Sequence, residues 1–291
     1  MAAHLTVGQA ATLACLLEVS VPKPGNVHRS ADFHNMSFHD FVISAVAIGP
    51  AMQRAQNCRL GQTVLDSIQA TRQWVNVNTN LGLVLLLAPL ASVDSFDSHT
   101  LSQFFSNCDE TDSQQVYQAI RLAGAGGLGS SESDDVAGPP PKNLLQAMRA
   151  AADRDLIARQ YASGFADLFE VVVPILETRL QQGHSLTDSV IWTHVNLMVQ
   201  FPDSLIARKN GAEVANQSAM LAEQVLEAEQ SSKQEYLRAL SDLDFWLRSD
   251  GNRRNPGTTA DMIGAALFVG LQKGTIRPNE HSLTQLGLDD A

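Results

Sequence analysis

Carboxylates, cations and carboxamides gather in four polar segments that interrupt an otherwise apolar, helical-looking sequence. The first runs Glu18-Val-Ser-Val-Pro-Lys-Pro-Gly-Asn-Val-His-Arg29. Two prolines stiffen it, Gly25 permits a positive φ or the close approach of a ligand, and Lys23, His28 and Arg29 offer donors to an anion such as phosphate. The same residues also read as a rigid turn between helices with a solvated basic edge. The second segment, Asn76-Val-Asn-Thr-Asn-Leu-Gly82, leads into the most apolar stretch of the chain. A helix cap uses one of its amides or its hydroxyl, and the N–H groups at the helix start that follows suit an anion.

The third segment is Gly124-Ala-Gly-Gly-Leu-Gly-Ser-Ser-Glu-Ser-Asp-Asp135. Gly124, Gly126 and Gly129 satisfy GxGxxG, but the preceding residues 113–123 read as helix and not strand, which rejects the dinucleotide fingerprint. Glu132, Asp134 and Asp135 are hard oxygen ligands at a spacing suited to Mg2+, and they read also as a solvated acidic loop. The fourth region holds Trp192-Thr-His-Val-Asn196, Phe201-Pro-Asp-Ser-Leu-Ile-Ala-Arg-Lys-Asn-Gly211 and Arg253-Arg-Asn-Pro-Gly-Thr-Thr-Ala-Asp261. In the last of these, two arginines precede an Asn-Pro-Gly turn into an apolar helix, with Thr258 or Thr259 able to cap it and Asp261 in its first turn.

The elements that must position these segments are helices. Apolar residues recur at three and four positions and strand signals are nearly absent, so an all-α multi-helix bundle of roughly ten or more helices is expected. Thr6 caps a helix to about Ser20, and Ser37 caps a second to about Gln56. Further helices are expected over 61–75, 80–92, 98–107, 111–123, 142–151, 154–181, 187–200, 203–230, 232–248 and 258–272. Pro89 and Pro174 fall inside apolar runs and predict kinks or shorter helices. The glycine-, serine- and proline-rich stretch 124–141 reads as a long loop within one domain covering 1–291.

A net charge of −11 argues against binding a nucleic acid backbone. The 44% hydrophobic and 18% charged fractions are those of a globular chain. Cys15, Cys58 and Cys108 have no metal or disulfide spacing, which fits a reducing cytoplasm. There is no secretory signal pattern, and the longest apolar run, Leu81 to Ala91, is too short to cross a bilayer. That run reads either as core or as the face of a homodimer.

Together, Glu18 with Pro22-Lys-Pro-Gly-Asn26, Asn78-Thr-Asn-Leu-Gly82 and Asn255-Pro-Gly-Thr-Thr-Ala-Asp-Met262 resemble the triphosphoribosyl-dephospho-coenzyme A synthase family, in the order found there. In that family the motifs read approximately PKPGLVD, NTHKG or NTNKG, and NLSPGGSADLL. The resemblance implies an all-α enzyme that moves the 5-triphosphoribosyl group of ATP to the 2′-hydroxyl of 3′-dephospho-coenzyme A and releases adenine. Leu81 stands where the second motif carries lysine, His28-Arg29 replace the aspartate region, and Thr258-Thr259 replace glycine-serine. Losing a lysine beside a triphosphate removes about 1.5–3 kcal/mol unless another cation takes over. The chain is also similar to short synthase-like proteins of organisms that build pterin one-carbon carriers, which leaves the acceptor open.

Glycosyl transfer needs a carboxylate near the anomeric carbon and a base for the acceptor hydroxyl. On the resemblance, Glu18, Asp203 and Asp261 are the carboxylate candidates, and His194 is an acid for the departing base or else a core histidine. Lys23, Arg29, Arg208 and Lys209 would hold the triphosphate with Mg2+. Asn78 and Asn80 would read sugar hydroxyls. Pro24, Gly25, Asn26, Thr79, Gly82, Asn255, Gly257 and Thr258 complete the expected nucleotide and coenzyme A-like acceptor contacts. Two other readings are a metal-dependent hydrolase using Glu132, Asp134, Asp135 and Asp261, and a helical scaffold whose polar loops are only caps and turns.

Overall fold

The computed structural model describes residues 4–124 and 139–277. The acidic loop with Glu132, Asp134 and Asp135, the expected metal ligands, lies outside the described residues. The architecture is all-α, as the periodicity predicts, and the β-type pairings among the described residues are the isolated bridges His28 to Ala31 and Phe33 to Met36. Two compact units divide the chain, one of Met1–Leu16 with His39–Val171 and one of Leu17–Phe38 with Val172–Ala291.

The first unit takes most of α1 (Val7–Ser20), then α2 (Phe38–Gln53), α3 (Leu60–Arg72), α4 (Leu81–Ala91), α5 (Ser98–Ser106), α6 (Glu110–Ala123), α7 (Leu144–Ala151) and α8 (Leu156–Ser163). Thr6 and Gln9 close a reciprocal cap on α1. The Gln9 N–H donates to Thr6 Oγ1 at 3.3 Å and the Thr6 N–H to Gln9 Oε1 at 2.9 Å. α4 is buried along its whole length apart from Gly82, so the apolar run is core and not a dimer face. Pro89 sits in its last turn without ending it early. Against α4, the Tyr161 hydroxyl of α8 donates to the Leu85 carbonyl at 2.7 Å and its ring stacks on Phe105 at 4.5 Å. α3 and α6 pack as a pair because Asp112 reaches the Gly61 N–H at 2.9 Å, where no side chain intervenes.

The second unit takes the end of α1, then α9 (Val173–Gln181), α10 (Leu186–Gln200), α11 (Ser204–Asn210), α12 (Ala212–Ser231), α13 (Lys233–Arg248) and α14 (Gly257–Lys273). α12 packs on α10, α11 and α13, while the almost wholly buried α14 packs on α9, α10 and α11.

Two long helices expected from periodicity are broken. The 154–181 run stops at Gly164 and Phe165, both at φ 66°, and resumes through a π-helical turn, Leu168–Val172, before Pro174 in the first turn of α9. Gln160 makes this break affordable in hydrogen bonds, because its carbonyl takes the Phe165 N–H at 2.7 Å and its side-chain oxygen takes the Leu168 N–H at 3.2 Å. The 203–230 run breaks at Gly211, with φ 92°, which ends α11 and begins α12. Apolar spacing continues across both breaks, so period alone does not reveal them. Among the described residues no helix is long and apolar enough to cross a membrane.

Gly164 tests the first break. A Cβ there would lie 2.4 Å from the Ser98 carbonyl oxygen and 2.3 Å from Ser102 Oγ, on a backbone that L-residues rarely adopt. Gly164→Ala is expected to lower unfolding free energy by about 1–3 kcal/mol in urea titrations.

Candidate active site

In the second unit the chemistry-bearing segments are tied together by named bonds. Glu18 lies in the last turn of α1, and the chain turns through Pro22–Asn26. Lys23, at 0% exposure, places Nζ 2.9 Å from Glu18 Oε1 and donates to the Val21 carbonyl at 3.2 Å and to the Glu18 carbonyl. Those acceptors match the three protons of an ammonium group. Lys23 is therefore a buried anchor of the loop, which corrects its expected place on the triphosphate, and Glu18 is its counter-ion.

Gly25 follows at φ 75°, and a Cβ there would meet Leu247 Cδ1 and Pro256 Cδ, each at 2.8 Å, so glycine is required by both backbone and space. Its N–H donates to Asp244 Oδ1 at 2.8 Å. Asn26 Nδ2 then donates to Asn255 Oδ1 at 2.6 Å, joining the first motif to the last across 229 residues of sequence. Pro24 is buried beside them.

Asp203 is the second tie. Its Oδ1 accepts the Leu205 and Ile206 N–H groups at 2.9 and 3.0 Å and so caps α11, while Oδ2 accepts the Thr259 N–H and Oγ1, each at 2.8 Å. Burial pushes its proton affinity up, and these hydrogen bonds oppose that shift. With both oxygens engaged at 0% exposure, Asp203 is a double helix cap and not an open base. Neither threonine caps α14 from its own side chain, because Asp203 serves that end instead. Ser204 Oγ adds a 3.1 Å bond to Thr258 Oγ1, and the Gly257 N–H closes on the Asn255 carbonyl at 2.8 Å. Asp261 lies beyond the first turn of α14, half-buried.

His194, on α10, is fully buried, and neither ring nitrogen has a hydrogen-bond partner. Burial first, then the Lys23 charge, lower its pKa to about 3, and the Pro24 backbone opposes this in part. Burial and the Lys23 charge thus favour the neutral imidazole, the setting of a core histidine.

The remaining cations stand around the same loops. Lys209 Nζ donates to the Asn252 carbonyl at 3.2 Å, and Asn210 Nδ2 to the Arg253 carbonyl at 2.7 Å. Burial pulls the Lys209 pKa down, as do Arg208 and Arg253, against the pull of Asp203. Cations that repel one another in an acidic chain make a setting that gains from an anion. Arg29 is exposed and Arg208 half-buried. Arg254 instead stacks on Trp246 at 4.3 Å and donates to its carbonyl at 3.1 Å, a structural use.

Asn78, Thr79, Asn80 and Gly82 belong to the first unit. Asn78 Oδ1 takes the Leu81 N–H at 3.1 Å, Thr79 Oγ1 lies 2.6 Å from Ser44 Oγ, and the buried Asn80 donates to Thr71 Oγ1 at 3.0 Å. Tertiary bonds thus account for groups that a single cap leaves unexplained. Leu81 is buried in α4, so no charge replaces the lysine of the related motifs. Among the described residues no group of three or more His, Cys, Asp or Glu side chains is arranged to hold a metal ion, and Asp261 has no such companions there.

Sequence reasoning missed Asp244 and Arg248. They carry the signal of an i,i+4 ion pair on α13, a pattern common on any solvated helix, and only the fold brings them to Gly25 and Asn26.

In the second unit of this all-α fold, basic and amide loops gather beside a helix start, a setting suited to an anionic ligand. The chain belongs to the CitG family, ATP:dephospho-CoA triphosphoribosyl transferase, whose model matches residues 4–279. It is therefore an enzyme of the triphosphoribosyl-dephospho-CoA synthase kind. A solved structure from Archaeoglobus fulgidus, described as a candidate triphosphoribosyl-dephospho-coA synthase, is similar at 26% identity and TM-score 0.60, over 79% of this chain and 98% of that one. No curated protein matches the chain.

Two stability outcomes follow. Lys23→Ala leaves the Glu18 carboxylate buried without its cation and is expected to cost about 3–5 kcal/mol in chemical denaturation. His194 takes up a proton near pH 6.5 when unfolded but only near 3 when folded, so acid favours the unfolded state. Stability should fall by up to about 1.4 kcal/mol per pH unit across that window, and His194→Gln should flatten the slope.

Proposed function

We propose that the second-unit cluster binds the triphosphate and ribose of ATP and that Asp261 is the base of the transfer. The bonding of the Pro22–Asn26 loop, α11 and the Asn255–Thr259 turn into one cluster carries this reading. Arg29, Arg208 and Lys209 supply phosphate contacts, and Mg2+ arrives as the ATP complex, a substrate ion that screens the remaining charge. Gly257 and Thr258 present the start of α14, whose dipole favours an anion. Because the family match runs through both units, residues 1–291 are read as serving one activity.

In the reaction the C1′–N9 bond of ATP breaks and its electrons leave with adenine, while the acceptor hydroxyl oxygen bonds to C1′. The hydroxyl proton passes to Asp261 and is finally matched by the proton that adenine takes up. Asp261 suits this step by its place, since it is half-buried and follows the first turn of α14, next to the Asn255–Thr259 turn. The acceptor proposed is 3′-dephospho-coenzyme A. The buried Leu81, in place of a lysine, favours as a second reading another hydroxyl-bearing cofactor precursor, such as one for a pterin one-carbon carrier.

Chromatography of free adenine from incubations with Mg2+, ATP and dephospho-coenzyme A separates these readings. Adenine released only with the acceptor present is the expected result, and ATP binding without adenine release would move the acceptor to the second reading. Asp261→Asn should lower kcat by about 100-fold or more in the folded protein.

A further inference from the structure

The Asn26 carboxamide is nearly sealed from solvent, and its Oδ1 has no hydrogen-bond partner although Nδ2 is bonded to Asn255. A buried orphan acceptor calls for an explanation, and a substrate hydroxyl is the donor that fits a ribosyl-transfer site. What aims this group is the pair on α13. Arg248 Nε donates to Asp244 Oδ1 and Oδ2 at 2.8 and 3.0 Å, and Asp244 Oδ1 also accepts the Gly25 N–H at 2.8 Å. Arg248 Nη2 donates to the Asn26 carbonyl, and the guanidinium lies over Phe33 at 5.3 Å. Two consecutive loop residues are thus gripped by one ion pair, at the N–H of one and the carbonyl of the next.

We propose that Arg248, together with Asp244, is the positioning residue of the Pro22–Asn26 loop, holding the Asn26 carboxamide against Asn255 with one acceptor kept for a substrate hydroxyl. The catalytic part of this proposal rests on the transfer function above. A guanidinium is required rather than an ammonium, because a planar fork can bond a carboxylate and a carbonyl while its face covers a ring. Arg248 has a second, independent neighbour. The half-buried His28 faces Arg248, Asp244, Lys23 and Asp32, and its Nδ1 accepts the Ser30 N–H at 3.3 Å. Burial and then Arg248 hold its proton affinity down, while the two aspartates raise it.

The test uses the full chain and three variants, Arg248→Lys, Arg248→Gln and Asp244→Asn. It follows adenine release, the NMR titration of His28 and the melting temperature. Arg248→Lys keeps the charge and loses the fork, so kcat should fall by about tenfold to a hundredfold with the ATP KM within about threefold, while His28 titrates near its wild-type value. Arg248→Gln should show the same loss of kcat with His28 titrating higher, and Asp244→Asn should move His28 lower. Wild-type kcat in a folded Arg248→Lys or Arg248→Gln protein would overturn the proposal. If the wild-type chain releases no adenine with dephospho-coenzyme A, the acceptor assignment fails separately. The clamp is then judged on His28, and an unmoved titration in Arg248→Gln or Asp244→Asn overturns it.

Discussion

A fully buried ammonium group is the constraint on which the second unit turns. Taking Lys23 out of water costs several kcal/mol, and the structure offsets this with one carboxylate and two backbone carbonyls, all from residues 18–21. That requirement fixes the path of the chain after α1. Once Lys23 points inward, the following residues must turn sharply, Gly25 takes a positive φ under Leu247 and Pro256, and Asn26 is delivered to Asn255. The Lys23 charge also acts on His194, which stays neutral in the same interior. The lysine of the basic loop thus supports the loop from the inside.

Asp203 plays the matching role for the other half of the cluster. One carboxylate satisfies the first turns of α11 and α14 at once, four donors in all, so the cations after α11 and the turn before α14 are held in a fixed relation. A carboxylate so engaged cannot also serve as an open base without undoing two helix starts. This division between buried groups that build the cluster and more exposed groups around it, Arg29, Arg208, Lys209 and Asp261, suits an enzyme of anionic substrates. Rigid scaffolding allows like charges to stay close together until an anion arrives. In a chain of net charge −11, such local basicity does not arise from composition.

The all-α class, the positions of most helices and the motif segments were legible because helical period and turn residues are local properties. The Thr6 cap is an example, since its partner Gln9 is one turn away. The breaks at Gly164 and Gly211 were not legible, because apolar spacing passes through both and only the side-chain oxygen of Gln160 and the positive φ values decide where the helices stop. The polar groups of Asn78 to Asn80 were recognised as more than one cap requires. Their partners, Ser44 and Thr71, lie in other elements and carry no signal of their own.

The sequence by itself determined the family motifs, the helical class and which segments bear chemistry, because these depend on residue type and short spacing. Tertiary structure decided the role of each residue. Burial turned Lys23, Glu18 and Asp203 from presumed substrate contacts into supports, withheld the proton from His194, and brought Asp244 and Arg248 to a loop more than two hundred residues away in the chain. Charge and hydrogen-bonding capacity are written in the side chain, but whether they face solvent, substrate or one another depends on desolvation and on contacts that only the folded chain creates.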